Sequence, residues 1–244
     1  MSSSGSGGVN VAVVVFPGSN CEHDTVEALS TVDARGELVW HTQLSLEGFD
    51  AIVVPGGFAH GDYLRTGAIA RFSPVMEAVR QAAASGVPVL GICNGFQVLT
   101  EARLLPGALM RNAGGRFLCE TVECEVISTS SALTANTSVG QRLRLPINHF
   151  EGNYTCAPDT LETLESSGQI ALRYVSNPNG SMRSIAAVAN RAGNVVGLMP
   201  HPERACTALM GSTDGQVLLG SFVQAAADRA GNSGTVAAVA AAGV

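Results

Sequence analysis

The 244-residue sequence predicts an α/β protein with an open, mostly parallel central sheet, helices on both faces and a small antiparallel region. Three observations lead there. Largely apolar runs of strand length at Val9–Phe16, Phe49–Val54 and Val87–Ile92 suit parallel strands covered on both faces. Each run enters a glycine- or proline-bearing turn, and helical stretches alternate with them. Past Leu105 the pattern changes: Val122, Cys124 and Val126 fall on one face of a strand with Glu123 and Glu125 on the other, as in an antiparallel or edge region.

In chain order, Val9–Phe16 leads through Pro17-Gly18-Ser19-Asn20 into a helix from about Cys21 to Val32, with Ser19 or Asn20 as its cap. Glu37–Trp40 reads as a short second strand and Phe49–Val54 as a third, closed by Pro55-Gly56-Gly57-Phe58. Paired glycines at a parallel strand's carboxyl end let backbone N–H groups face a ligand, and open α/β sheets bind ligands in that crevice. The polar loop His60–Gly67 enters a helix expected over Ala68–Ala84, and so rich a loop points to a surface that touches something. Further on, Phe117–Ile127 and Arg142–Ile147 read as strands, the second delivering the polar cluster Asn148–Tyr154. Gln169–Val175 is a strand, Ser184–Ala189 pairs with Val195–Met199 through the turn at Arg191–Asn194, and Asp214–Ala227 is the last helix. Residues 1–8 read as a disordered Ser/Gly-rich start, 9–228 as a single domain, and 229–244 as an Ala/Gly/Val tail.

Composition narrows the chemistry. The net charge is −6 and no basic patch offers itself to nucleic acid. The chain contains no lysine, which excludes a Walker-type phosphate loop, a Schiff base and a lysine general base, so any ATP-dependent step belongs to another polypeptide. Six cysteines form no CxxC pair and have no histidine at zinc spacing, so no metal site is expected. Thiols in a chain of this length imply reducing surroundings, hence the cytoplasm, and no segment reads as a signal peptide or a membrane span.

The stretch that carries chemistry is Gly91-x-Cys93-x-Gly95, a strand turning at once into the helix that follows. This is the form of a nucleophile elbow, with glycines permitting the tight turn and the central side chain pushed out at the strand end beside a helix N-terminus, where thiolate is favoured. Far downstream, Met199-Pro200-His201-Pro202-Glu203 presents an imidazole and a carboxylate two residues apart, so that Glu203 can hold His201 from behind. Cysteine, histidine and carboxylate together form an activated thiol nucleophile. The residues alone leave open which amide such a thiol would cleave, a stand-alone cysteine hydrolase or peptidase being one reading, and an inactive scaffold another, which would require a missing member of the triad.

Six blocks in one order, Phe16–Cys21, Val54–Phe58 with Gly61–Arg65, Gly91–Gln97, Leu104–Gly107, Glu151–Tyr154 and Gly197–Arg204, make the stretch Val9–Ala227 resemble the class I, or triad, glutamine amidotransferases. Within that class it is similar to the separate glutaminase subunits of purine biosynthesis. The resemblance implies a flavodoxin-like core, Cys93, His201 and Glu203 as the triad, and glutamine as substrate. Gly56, Gly57, Asn94 and Gln97 become substrate-binding residues, with backbone N–H groups of Gly57 and Asn94 as oxyanion donors. It also implies a synthetase subunit carrying ATP and magnesium, a small accessory subunit of the same complex, and a partner-facing loop at Arg65. This chain itself would hold no cofactor. One departure stands out: the family usually reads His-Gly where this chain has His149-Phe150.

Overall fold

In the computed structural model the described residues are 8–242, with side chains described through Gly231. The expected disordered start therefore lies, apart from Gly8, outside the described residues. In chain order the elements are β1 (Val9–Val15), α1 (Glu22–Ser30), β2 (Ala34–Trp40), β3 (Ala51–Val54), α2 (Val75–Ala84), β4 (Val89–Ile92), α3 (Asn94–Glu101), β5 (Ala108–Met110), β6 (Leu118–Val126), β7 (Arg142–His149), β8 (Asn153–Thr155), α4 (Pro158–Ser166), β9 (Ile170–Tyr174), β10 (Ile185–Ala189), β11 (Val195–Leu198) and α5 (Asp214–Ala242). Among the described residues no helix is long and apolar enough to cross a membrane.

One nine-stranded sheet organises the chain, in the order β2-β1-β3-β4-β11-β10-β9-β6-β7. The stretch β2-β1-β3-β4-β11 is parallel, with β4 between β3 and β11, and its order is that of a flavodoxin-like sheet. From β11 onward the pairings are antiparallel, so the antiparallel region continues the main sheet; β5 and β8 form a separate two-stranded pair among the described residues. Val89, Leu90 and Ile92 of β4 are fully buried, as are Val11, Ala12, Val13 and Val14 of β1, and each of the branched side chains contributes roughly 1.5–3 kcal/mol on leaving water.

Three local expectations need correction, and some elements were not anticipated. Ser19 does not cap α1: Cys21 holds the cap position without a side-chain bond, and Ser19 Oγ instead accepts from the Phe16 N–H at 3.0 Å. The helix expected over Ala68–Ala84 is interrupted, because Pro74 restricts Ser73 to extended backbone, leaving a 3₁₀ turn at Ala70–Phe72 before α2 begins at Val75. The helix expected to end at Ala227 continues to Ala242, through most of the stretch read as a tail. Helix α4 and the pair β5–β8 had no counterpart in the reading of the sequence.

The glycines of the elbow serve a different purpose from the one read in the sequence. Positive φ falls on Cys93 itself (50°), whereas neither Gly91 nor Gly95 has it. What those glycines provide is clearance. A Cβ on Gly95 would meet Val54 O at 1.8 Å, and one on Gly91 would meet the Gly95 carbonyl at 2.8 Å. On the next strand, a Cβ on Gly197 would meet the Phe96 ring at 2.1 Å, so β3, β11 and α3 close around β4 only with these side chains absent. Gly95→Ala should therefore destabilise by at least the roughly 1–3 kcal/mol typical of overpacking, since a backbone oxygen cannot swing aside. Thermal denaturation followed by circular dichroism checks this, and an unchanged midpoint would show that α3 can shift freely.

Candidate active site

Four strands of the parallel half deliver their carboxyl ends to one place. β1 leads to the Pro17–Asn20 turn, β3 to Gly56-Gly57, β4 to Cys93, and β11 to His201. Backbone bonds lock these ends together: Asn20 and Cys21 N–H groups donate to Gly56 O at 3.3 and 3.2 Å, and Phe58 N–H donates to Gly18 O at 2.8 Å. Cys93 N–H donates to Leu198 O at 2.8 Å, and His201 N–H to Pro146 O at 2.8 Å. Cys93 and His201 are thus fixed by the same sheet rather than by mobile loops.

Cys93 is the N-cap of α3, with φ 50° and ψ −104°, a conformation that costs of order 1–3 kcal/mol for a residue with a Cβ. Its Sγ lies 3.8 Å from Asn148 O. His201 and Glu203 are buried, and Nδ1 of the ring meets Glu203 Oε1 at 2.6 Å. This leaves His201 Nε2 buried with no hydrogen-bond partner among the described residues. Burial pulls the His201 pKa down, but the Glu203 carboxylate and then the Cys93 sulfur outweigh it, and the ring is held well above the ordinary histidine range. Gly56 completes the contact: a Cβ there would stand 2.9 Å from His201 Cε1 and 3.5 Å from Cys93 Cβ. A buried carboxylate, a ring held toward its protonated form and a strained cysteine at a helix N-terminus are the parts from which a nucleophilic thiol can be assembled.

A cavity of about 380 Å³ opens beside Cys93, and Gly57, Gln97 and His201 line it. Of the other residues expected here, Asn94 contributes through its bonds. Its Oδ1 accepts from Ala59 N–H at 2.9 Å, and its Nδ2 donates to Gln97 Oε1 at 2.9 Å and Asp62 Oδ1 at 3.2 Å. Gln97 Nε2 in turn donates to Glu151 O at 2.6 Å. Arg65 lines the cavity, but its guanidinium is clamped in both Nε and Nη2 to Glu101 at 2.5 and 2.7 Å, so it anchors its loop. Phe150, the departure from the family pattern, turns to the cavity rim, where the Arg111 guanidinium lies 5.7 Å from its ring centre.

Residues that sequence reasoning passed over also converge. Asp62, Glu151 and Arg111 line the same cavity, with Arg111 Nε 3.6 Å from Glu151 Oε1. Burial first, and then the Glu151 charge, push the Asp62 carboxyl up to about 6, despite the hydrogen bond from Asn94. Two carboxylates beside one arginine can take the ammonium and the carboxylate of a free α-amino acid. Cys21 sits against His201, and its Sγ, a His201 ring nitrogen and a Glu203 oxygen all lie within 4.8 Å of one another, a set that could also ligate a metal ion. Asp62 and Glu151 both stand inside the polar blocks of the sequence, which was the available signal; their meeting across 89 positions was not visible there.

A flavodoxin-ordered sheet with an elbow cysteine facing a buried histidine–glutamate pair defines the triad class of glutamine amidotransferases. Comparison with known proteins agrees: residues 8–217 match the model of the CobB/CobQ-like glutamine amidotransferase domain. The chain is 53% identical over 216 residues to phosphoribosylformylglycinamidine synthase subunit PurQ of Lacticaseibacillus paracasei, covering 88% of this chain and 95% of that one. It is 51% identical over 224 residues to the PurQ subunit of Chlorobaculum tepidum, covering 88% and 96%. A solved chain in the structure of PurLQS from Thermotoga maritima superposes with a TM-score of 0.83 at 39% identity, covering 89% of this chain and 98% of that one. The chain belongs to the PurQ family, the glutaminase subunits of phosphoribosylformylglycinamidine synthase in purine biosynthesis.

The carboxyl pair gives the cavity a pH signature. With its pKa raised to about 6, Asp62 carries its charge above that pH and loses it as pH falls through it. The KM for glutamine should therefore climb below about pH 6. Asp62→Asn should raise KM tenfold or more, in keeping with the roughly 1.5–3 kcal/mol of a hydrogen bond to a charged group, and remove the acid-side climb. Steady-state kinetics from pH 5 to 9 decide it (a range of about that width brackets the transition), and an Asp62→Asn enzyme with unchanged KM would remove this residue from the ammonium site.

Proposed function

We propose that Cys93 attacks the side-chain carboxamide of glutamine as a thiolate, with His201 Nε2 as the proton carrier. The observation that carries the reading is the buried His201–Glu203 pair, 2.6 Å apart, beside a strained elbow cysteine. The oxyanion is held by backbone N–H groups of Gly57 and Asn94, and loss of one such donor typically costs about 2.7–4 kcal/mol. His201 hands its proton to the departing ammonia, leaving a γ-glutamyl thioester on Cys93. Water activated by the same ring then releases glutamate. Gln97 and the Asp62–Glu151–Arg111 group hold the amino-acid end. Glu203 keeps the ring oriented and stabilises its charge.

Ammonia passes to a synthetase subunit that carries ATP and magnesium, in a complex that includes a small accessory subunit, within the cytoplasm. The solved PurLQS relative supports an assembly of this kind. Control by the partner has a physical route. In the loop after β3, His60, Asp62 and Leu64 are non-glycine residues at positive φ, and Tyr63 and Leu64 stand exposed to solvent. That loop is tied to Asn94 through Ala59 N–H and Asp62, so a partner pressing on Tyr63 and Leu64 shifts the residue whose N–H faces the oxyanion. A displacement of such a donor by about an ångström costs on the order of a hundredfold in rate.

Assaying the chain with and without its purified synthetase tests the reading. Glutamate release should be slow alone and rise mainly in kcat on adding the synthetase. In the complex, Cys93→Ala should abolish glutamine-dependent amidine formation and spare the reaction supported by free ammonia. Normal glutamine turnover in Cys93→Ala would refute Cys93 as nucleophile.

A further inference from the structure

The mechanism leaves unused a second thiol, whose sulfur lies within 4.8 Å of a ring nitrogen of its histidine. Cys21, at the amino end of α1, is buried and lines the cavity. On one side its Sγ accepts a hydrogen bond from Arg204 Nη2 at 3.3 Å, while Arg204 Nε donates to Asp24 Oδ2 at 3.0 Å. On the other side it faces the imidazole, with Sγ, a ring nitrogen of His201 and an oxygen of Glu203 all within 4.8 Å of one another. Gly56 is what admits the sulfur. A Cβ there would lie 3.1 Å from Cys21 Sγ and 2.9 Å from His201 Cε1, so any larger residue would separate them.

We propose that Cys21 is a positioning residue for His201, its sulfur lone pairs set by the Arg204 guanidinium so that they lie against the ring and favour the imidazolium that protonates departing ammonia. No bond is made or broken at Cys21. Its placement also settles the charges. Arg204 would repel an imidazolium in direct contact; here the sulfur stands between them and Asp24 takes up the guanidinium charge. The proposal rests on the reading of His201 as proton carrier and adds what keeps it protonated.

The groups facing His201 come from four places. Glu203 lies on the same turn, Cys93 on the β4–α3 elbow, Cys21 with Arg204 and Asp24 beside the start of α1, and His149 on β7. Burial and the His201 charge hold His149 down to about 4, so it is neutral at working pH and adds no charge of its own. The Cys21 sulfur acts in the same direction as the Glu203 carboxylate, raising the affinity of the ring for its proton. Removing it lowers that affinity, so the alkaline limb of the rate profile moves to lower pH.

The test uses the complete complex with its synthetase and follows glutamate release against pH. Cys21→Ala should lower kcat about tenfold near neutral pH with KM for glutamine unchanged, and shift the alkaline limb down by about one pH unit. Cys21→Ser, which keeps lone pairs at the same place, should restore most of both. If Cys21→Ala does not fold, Cys21→Val fills the volume without lone pairs and carries the same expectation. An unmoved alkaline limb in the apolar variant, or a serine variant no better than it, would overturn the proposal. Failure of the triad reading itself would show separately, as glutamine turnover in the Cys93→Ala complex.

Discussion

The structure depends on how tightly the elbow is packed. Cys93 is held at φ 50°, where a side chain is disfavoured, and the conformation persists because its surroundings admit no other. Gly95 presses against the carbonyl of Val54, Gly91 against Gly95, and Gly197 against Phe96. Its own N–H is bonded to Leu198 O across the sheet. The strain is sustained by buried strands on both sides of β4, so stability elsewhere holds the buried Cys93 at the cavity wall. The same packing brings β11, and with it His201, to a fixed distance from the nucleophile.

Electrostatics in this site works by scarcity. The chain is poor in charged residues, and where they gather at the site they do so in compensating sets: Glu203 with His201, Asp24 with Arg204, Glu151 with Arg111, and Glu101 with Arg65. Of these four, His201–Glu203 alone is fully buried, and desolvation offsets much of its attraction; the other three are partly exposed and contribute little net stability. Their value is in keeping protons at stated atoms. Glu203 helps retain a proton on the ring, and burial beside Glu151 raises the Asp62 carboxyl to about 6.

The parallel strands were legible because burial on both faces leaves continuous apolar runs, and the elbow because cysteine between two glycines is rare in such a run. His201 and Glu203 were legible as a pair two residues apart, but not for the right reason: Pro202–Arg204 form a 3₁₀ turn, not extended backbone, and the turn brings the carboxylate to the ring. The glycines were legible as necessary but not for the right reason: clearance from Val54 O and Phe96 is a tertiary fact, invisible in the local sequence. Helix α4 did carry signals, Pro158 at its first position and Asp159 in its first turn, yet it is short and only Leu164 is buried, so its periodicity is faint. The three-residue strands β5 and β8 are too short to have a pattern at all. Cys21 and Arg204 stand 183 positions apart, and nothing but the fold brings them to one imidazole.

The account stands or falls on which sulfur carries the acyl group, because two thiols approach His201 and only one sits on the strained elbow. Acid-quenching the complex during glutamine turnover and digesting it for mass spectrometry measures this directly. The γ-glutamyl adduct should be found on the peptide containing Cys93, with the peptide containing Cys21 unmodified. An adduct on Cys21, or none on Cys93 while glutamate is being released, would contradict it.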